Sequence, residues 1–228
     1  MARAILCASA AEAVAGIPDG SVIMVGGFAA RDAPSLLVGA LVDQGARDLT
    51  LICNGPTGRP GMKDTSMLVH NRQVRKVVCS FPVPSTTSGP MTDFEAQYRA
   101  GEIQLELAPQ GTLAERIRAG GAGIGGFYTP TGVGTPFGEG KEQRTIDGVD
   151  YVLEYPLVAD YALIRAQTAD SMGNLLYRMS SRNFNPIMAM AAKTTIVEVA
   201  EVVAAGSLNP EHIVTPGLFV HRIVVRPE

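Results

Sequence analysis

The stretch Val22-Ile23-Met24-Val25-Gly26-Gly27-Phe28, carried through Pro34 to Leu49-Thr50-Leu51-Ile52-Cys53, contains a complete strand, helix and strand. Val22–Val25 is an unbroken apolar run, as expected of a strand buried on both faces. The turn Pro18-Asp19-Gly20 leads into it and Gly26-Gly27 closes it. Pro34 then suits a helix start, Leu36, Leu37, Ala40 and Leu41 repeat at helical spacing, and Gly45 is placed to stop the helix. Working outward, Lys76–Cys79 and Ile103–Leu107 read as further strands, and Phe94–Ala100 and Thr112–Ala119 as helices. Later strands are expected at Tyr161–Ala166, Leu175–Tyr177, Thr194–Val199 and Phe219–Val225, with a short helix near Pro186–Ala192. Asp147-Gly148 between Arg144-Thr145-Ile146 and Tyr151-Val152-Leu153 signals a hairpin. Strands alternating with helices imply the α/β class: an open, mostly parallel sheet with helices on both faces. Without a linker, repeat or shift of composition, residues 1–228 are read as one continuous domain.

Composition narrows the function. The 228 residues are 46% hydrophobic and 18% charged, which excludes a disordered tail or a coiled coil. With 19 basic and 22 acidic residues, no electrostatic footprint for nucleic acid is present. Cys7, Cys53 and Cys79 are odd in number and widely separated, and His70, His212 and His221 are scattered. Neither a disulfide framework nor a metal site is expected. The apolar N-terminal run is short, and Ser9 with Glu12 fits a helix cap better than a signal peptide. No apolar stretch is long enough to span a membrane, so the reading is cytoplasmic.

In open α/β sheets, ligands bind beyond the carboxyl ends of the strands. Three places there combine glycine with neutral hydrogen-bond donors: Gly26-Gly27-Phe28, Cys53-Asn54-Gly55 and Pro109-Gln110-Gly111. Such donors suit a developing oxyanion or a phosphate, because they stabilise negative charge without ionising. Turn-forming glycine is the plainer explanation of each. Gly120-Gly121-Ala122-Gly123-Ile124-Gly125-Gly126 offers dinucleotide-like spacing but follows a helix, so a Rossmann site is not expected. The run reads instead as a backbone-lined ligand loop or a contact between subunits. No serine sits in a nucleophile elbow and no cysteine has a nearby histidine. Donors and loops are present, and a reactive group is missing.

These same residues carry a resemblance. Asp19-Gly20-Ser21-Val22-Ile23-Met24-Val25-Gly26-Gly27-Phe28, ending in Pro34, resembles the first signature of family I coenzyme A transferases. The run from Glu106 to Gly123 through Pro109-Gln110-Gly111-Thr112 is a more specific match. So are Phe127-Tyr128-Thr129-Pro130-Thr131-Gly132-Val133-Gly134-Thr135, Gly173-Asn174-Leu175-Leu176-Tyr177-Arg178 and Arg182-Asn183-Phe184-Asn185. The resemblance covers essentially the whole chain and is to the alpha subunits of the family that serve 3-oxo acids such as 3-oxoadipate.

The resemblance implies the family's sugar-phosphate-isomerase-like α/β fold and a ping-pong transfer of CoA from an acyl-CoA, such as succinyl-CoA, to a 3-oxo acid. CoA and acyl-CoA are then substrates, with no permanently bound cofactor. The nucleophilic glutamate of the family belongs to a beta subunit, in a Ser-Glu-Asn-Gly motif absent here, so a beta partner and a heterotetramer are implied. Gln110 matches the amide that helps form the oxyanion hole, Asn54 an asparagine that orients the carboxylates, and Gly26, Gly27 and Phe28 a loop lining the cleft. Two positions depart from the family: Asp32 replaces a glycine two residues before Pro34, and Asn54-Gly55-Pro56-Thr57 replaces Asn-Asn-Ala-Gly. Both lie near the implied acceptor site, which points to an acceptor other than acetoacetate. A thioester or ring-opening hydrolase on the same fold, or a sugar-phosphate-binding relative, remain the alternatives.

Overall fold

The computed structural model describes residues 4–28, 32–56, 64–83 and 90–227. The first half runs β1 (Ile5–Leu6), α1 (Ala10–Val14), β2 (Val22–Val25), α2 (Ser35–Gln44), β3 (Leu49–Cys53), α3 (Ser66–His70), β4 (Val74–Cys79), α4 (Asp93–Arg99), β5 (Gln104–Leu107) and α5 (Gln110–Ala122). Next come β6 (Phe127–Thr129), β7 (Gln143–Ile146), β8 (Val149–Glu154) and β9 (Ala159–Arg165). The chain ends with β10 (Thr168–Asp170), β11 (Leu175–Leu176), α6 (Asn185–Met190), β12 (Ala192–Val199), β13 (Glu201–Val203) and β14 (Arg222–Val225).

Eight strands form one sheet in the order β1-β14-β12-β9-β2-β3-β4-β5. Every adjacent pair in it is parallel. From β2 the chain steps outward through β3, β4 and β5, then returns to the other side of β2 to build β9, β12 and β14. The strand order therefore reverses between β2 and β9, and a crevice opens beyond their carboxyl ends.

Alternation along each strand divides two cores. Ile23, Val25, Leu51, Cys53, Val77 and Cys79 face one side, where Val14 of α1, Leu37 and Leu41 of α2, Leu68 of α3 and Phe94 of α4 cover them. Met24, Ile52, Val78, Ala162, Ile164 and Val197 face the other, under Leu113 and Ile117 of α5 and Met188 of α6. Cys53 and Cys79 are buried free thiols, and burial pushes both up in pKa.

Two smaller sheets, β6-β8-β7 and β11-β10-β13, complete the fold. The hairpin forms as expected, with Ile146 paired to Val149 across Asp147-Gly148. The glycine-rich run departs from expectation. Gly120 and Gly121 lie inside α5, and a Cβ on them would stand 2.0 Å from the Leu157 carbonyl oxygen and 2.7 Å from Met190 Cβ. Close helix packing within the chain thus accounts for these two glycines, and left-handed Gly123 ends the helix. Phe219 belongs to a 3-10 turn, and its strand begins at Arg222. The expected loop from Pro82 to Pro90 lies partly outside the described residues.

A chain of ion pairs joins the β6-β8-β7 sheet to the main body. Glu154, 3% exposed, meets Lys141 and lies 3.8 Å from Arg116. Arg116 reaches Glu106 at 2.9 Å, and Glu106 accepts from Lys76 at 2.6 Å. Burial pushes the Glu106 carboxyl up, but the two cations outweigh it and hold its pKa below the usual value. A lowered folded pKa contributes stability above the unfolded value, about 4.3, which is lost as pH falls through the folded value. Glu106→Gln should therefore lower the melting temperature at neutral pH and flatten its fall on acidification. Parallel wild-type and variant curves would contradict this.

Candidate active site

The cleft is walled by the segments following β2 and β5 and by residues 183–187, and the segment following β3 meets it through Asn54 and Gln110. After β3, Asn54 is 7% exposed, and its carbonyl oxygen accepts the N–H groups of Ser80 and Phe81 beyond β4. After β5, Pro109 turns the chain and Gln110 becomes the first residue of α5, so Gln110 stands on a helix and not in the expected turn. Gln110 Nε2 donates to Asn54 Oδ1 at 2.5 Å. Two residues 56 positions apart thereby form one amide pair. The second Nε2 hydrogen of Gln110 and the Nδ2 group of Asn54 make no hydrogen bond to the described residues.

A cleft of about 310 Å³ opens beside this pair, lined by Phe28, Gln110, Gly111, Ala114, Asn183, Phe184 and Ile187. Gln110 and Ala114 share a helix face by their spacing of four. Phe28 is 46% exposed and forms part of the wall. Gly26 and Gly27, against expectation, do not line it: both are buried beneath. The reason is Asn185, which is fully buried against Gly26, where a Cβ would stand 1.8 Å from Oδ1. Gly27, at φ 110°, donates its N–H to Asn183 Oδ1 at 3.1 Å.

Asn183 itself has φ 23° and ψ −122°, a costly backbone for a residue with a side chain. Its Oδ1 also accepts from the Phe184 N–H at 2.6 Å, which helps hold that shape. In the sequence the run Arg182–Asn185 signals only a family likeness. Its placement under Gly26-Gly27 comes from the crossover that returns β9 beside β2. Asp32, which replaces a family glycine, sits at φ 56°. Aspartate tolerates this left-handed conformation better than most residues. Arg31 and Thr57 fall outside the described residues.

No ionisable side chain lines the cleft among the described residues. None of their His, Cys, Asp and Glu side chains gather in groups of three or more that could hold a metal ion. What the walls present is neutral: amide donors on one side and apolar surface from Phe28, Phe184, Ile187 and Ala114 on the other. The described walls can steady negative charge on an oxygen and hold no group that would attack a carbonyl carbon. No described helix is long and apolar enough to cross a membrane.

A parallel sheet with amide donors and a cleft at its strand ends defines an open α/β protein. The family model for coenzyme A transferase matches residues 7–226, and the chain belongs to that family. It is 56% identical over 217 residues to one of the subunits of 3-oxoadipate CoA-transferase from Pseudomonas putida, covering 95% of this chain and 91% of the relative. The alpha subunit of acetate CoA-transferase from Escherichia coli (strain K12) is 50% identical over 212 residues, 92% of each chain. The fold matches the crystal structure of glutaconate coenzyme A-transferase from Acidaminococcus fermentans with a TM-score of 0.84 at 21% identity, over 97% of this chain and 75% of that one.

Proposed function

We propose that the chain is the alpha half of a two-component enzyme that moves CoA from an acyl-CoA, such as succinyl-CoA, to a 3-oxo acid such as 3-oxoadipate. The observation that carries this reading is the Gln110–Asn54 amide pair at a cleft whose described walls hold no nucleophile. A beta partner supplies the carboxylate. Its oxygen adds to the thioester carbonyl, and the Gln110 N–H stabilises the oxyanion that forms. CoA leaves as thiolate, giving a mixed anhydride. The thiolate then attacks the glutamyl carbonyl of that anhydride and releases the first acid. The acceptor carboxylate regains CoA through the same steps in reverse, so no free energy is lost to hydrolysis.

The Asp32 and Gly55-Pro56 departures support an acceptor other than acetoacetate. The experiment is to purify the chain with its partner, determine the native mass, incubate with succinyl-CoA and locate the covalent CoA adduct by mass spectrometry. An adduct on a partner glutamate and transfer to 3-oxoadipate ahead of acetoacetate and acetate are expected. An adduct on this chain would overturn the division of labour. CoA release to water without an acceptor would replace the transferase with a hydrolase.

A further inference from the structure

Helix α2 begins a few positions after Phe28, and its N-terminus is held from far away. The residue before it, Pro34, offers no side-chain cap. The N–H groups of Leu36 and Leu37, which have no partner within the helix, instead donate to Oε2 of Glu198, at 2.8 and 3.2 Å. Glu198 is the penultimate residue of β12 and is completely buried. Buried carboxylates are expensive and persist where charge and donors surround them. Here the positive end of α2 is one source. Arg165, its partner in register on β9, is a second. Arg226, following β14, is a third, with Nε 3.9 Å from Oε1. The negative charge of Asp32, just ahead of α2, favours the charged form of Arg226. The Oε1 atom has no hydrogen bond among the described residues.

The residues just before Phe28 are fixed as well. Gly27 is tied to Asn183, and Gly26 is packed on Asn185. Phe28 stands between the two anchors and faces the cleft with Gln110. We infer that Glu198 is a positioning residue for the transfer: by seating the N-terminus of α2 it sets where the chain leaving β2 places Phe28 against the Gln110–Asn54 pair. This rests on the cleft being the site of CoA transfer. A carboxyl group suits the task because one of its oxygens accepts both N–H groups at the helix end.

The test compares Glu198→Ala and Glu198→Gln, each purified with its partner chain and assayed well below its melting temperature. Alanine should lower kcat roughly 10- to 100-fold, with the KM for acyl-CoA little changed, because small misplacements at a site are costly. Hydrogen exchange at Leu36 and Leu37 should speed up. Glutamine keeps an acceptor oxygen for both N–H groups and should restore most of kcat. A lower melting temperature with unchanged kcat would mean a structural role only and would overturn the inference, as would a glutamine variant no better than alanine. Should alanine prevent assembly, Glu198→Asp, one methylene short, carries the test on the same terms. Gln110→Ala is run in parallel. If it loses turnover and the Glu198 variants do not, this inference falls and the site stands; if neither loses turnover, the site itself is wrong.

Discussion

Gln110→Ala is expected to lower kcat by ~10²–10³ in the assembled enzyme, the loss typical of removing one oxyanion donor. The effect should fall on kcat and kcat/KM alike, because the oxyanion exists only along the reaction path. Two features separate this from simple damage. Alanine is the strongest helix former, so the first turn of α5 loses nothing by the change. The cost to folding is confined to Asn54, whose mostly buried Oδ1 loses its donor, about 1–3 kcal/mol. Steady-state kinetics with a series of acyl-CoA concentrations, alongside a melting curve, measures both. Near-normal transfer by Gln110→Ala in the presence of the partner would remove Gln110 from the oxyanion hole.

Gly26→Ala should produce the largest loss of stability. A methyl group there would lie 1.8 Å from Oδ1 and 2.8 Å from Cγ of Asn185. Asn185 has no room to yield: it is fully buried, its Nδ2 donates to the Ser181 carbonyl at 2.8 Å, and its Oδ1 accepts from the Arg165 N–H. Overpacking and a displaced buried amide together cost about 2–5 kcal/mol. For a chain of this size that is a fall in melting temperature on the order of 10 °C. Because Gly26 leads into Phe28, activity should fall with it. The check is a double-mutant cycle with Asn185→Ala, which removes the obstructing side chain. The pair should be less destabilised than the sum of its parts, since contacting residues couple. Strict additivity would show that the two do not clash.

Much of the architecture was legible because local signals agreed. Val22–Val25 and Leu49–Cys53 are apolar without interruption, which only a strand covered on both faces tolerates. Pro34 and Gly45 bracket α2, and Gly45 adopts the left-handed conformation that a helix end favours. Where signals conflicted, reading along the chain fell short. Gly120 and Gly121 look like helix breakers, and the helix continues through them because Leu157 and Met190 approach too closely for any side chain. Phe219 looks like strand, but the Val220 N–H bonds back to Gly217 and closes a turn.

The site divides in the same way. Residue types and spacing were enough to pick out Asn54 and Gln110 as donors at strand ends, and the family resemblance placed Phe28 in a loop lining the cleft. They also carried the family likeness along the whole chain. What the tertiary structure alone decided is which of these groups meet. Gln110 reaches Asn54 because β3, β4 and β5 lie side by side. Gly26 and Gly27 sink beneath the wall because Asn183 and Asn185 arrive from a segment more than 150 positions later. Glu198 caps α2 across a similar distance. Helix and strand periodicity is a local property of the chain, whereas a contact across the sheet depends on the order in which strands are laid down. That order comes from how the whole chain buries its apolar faces.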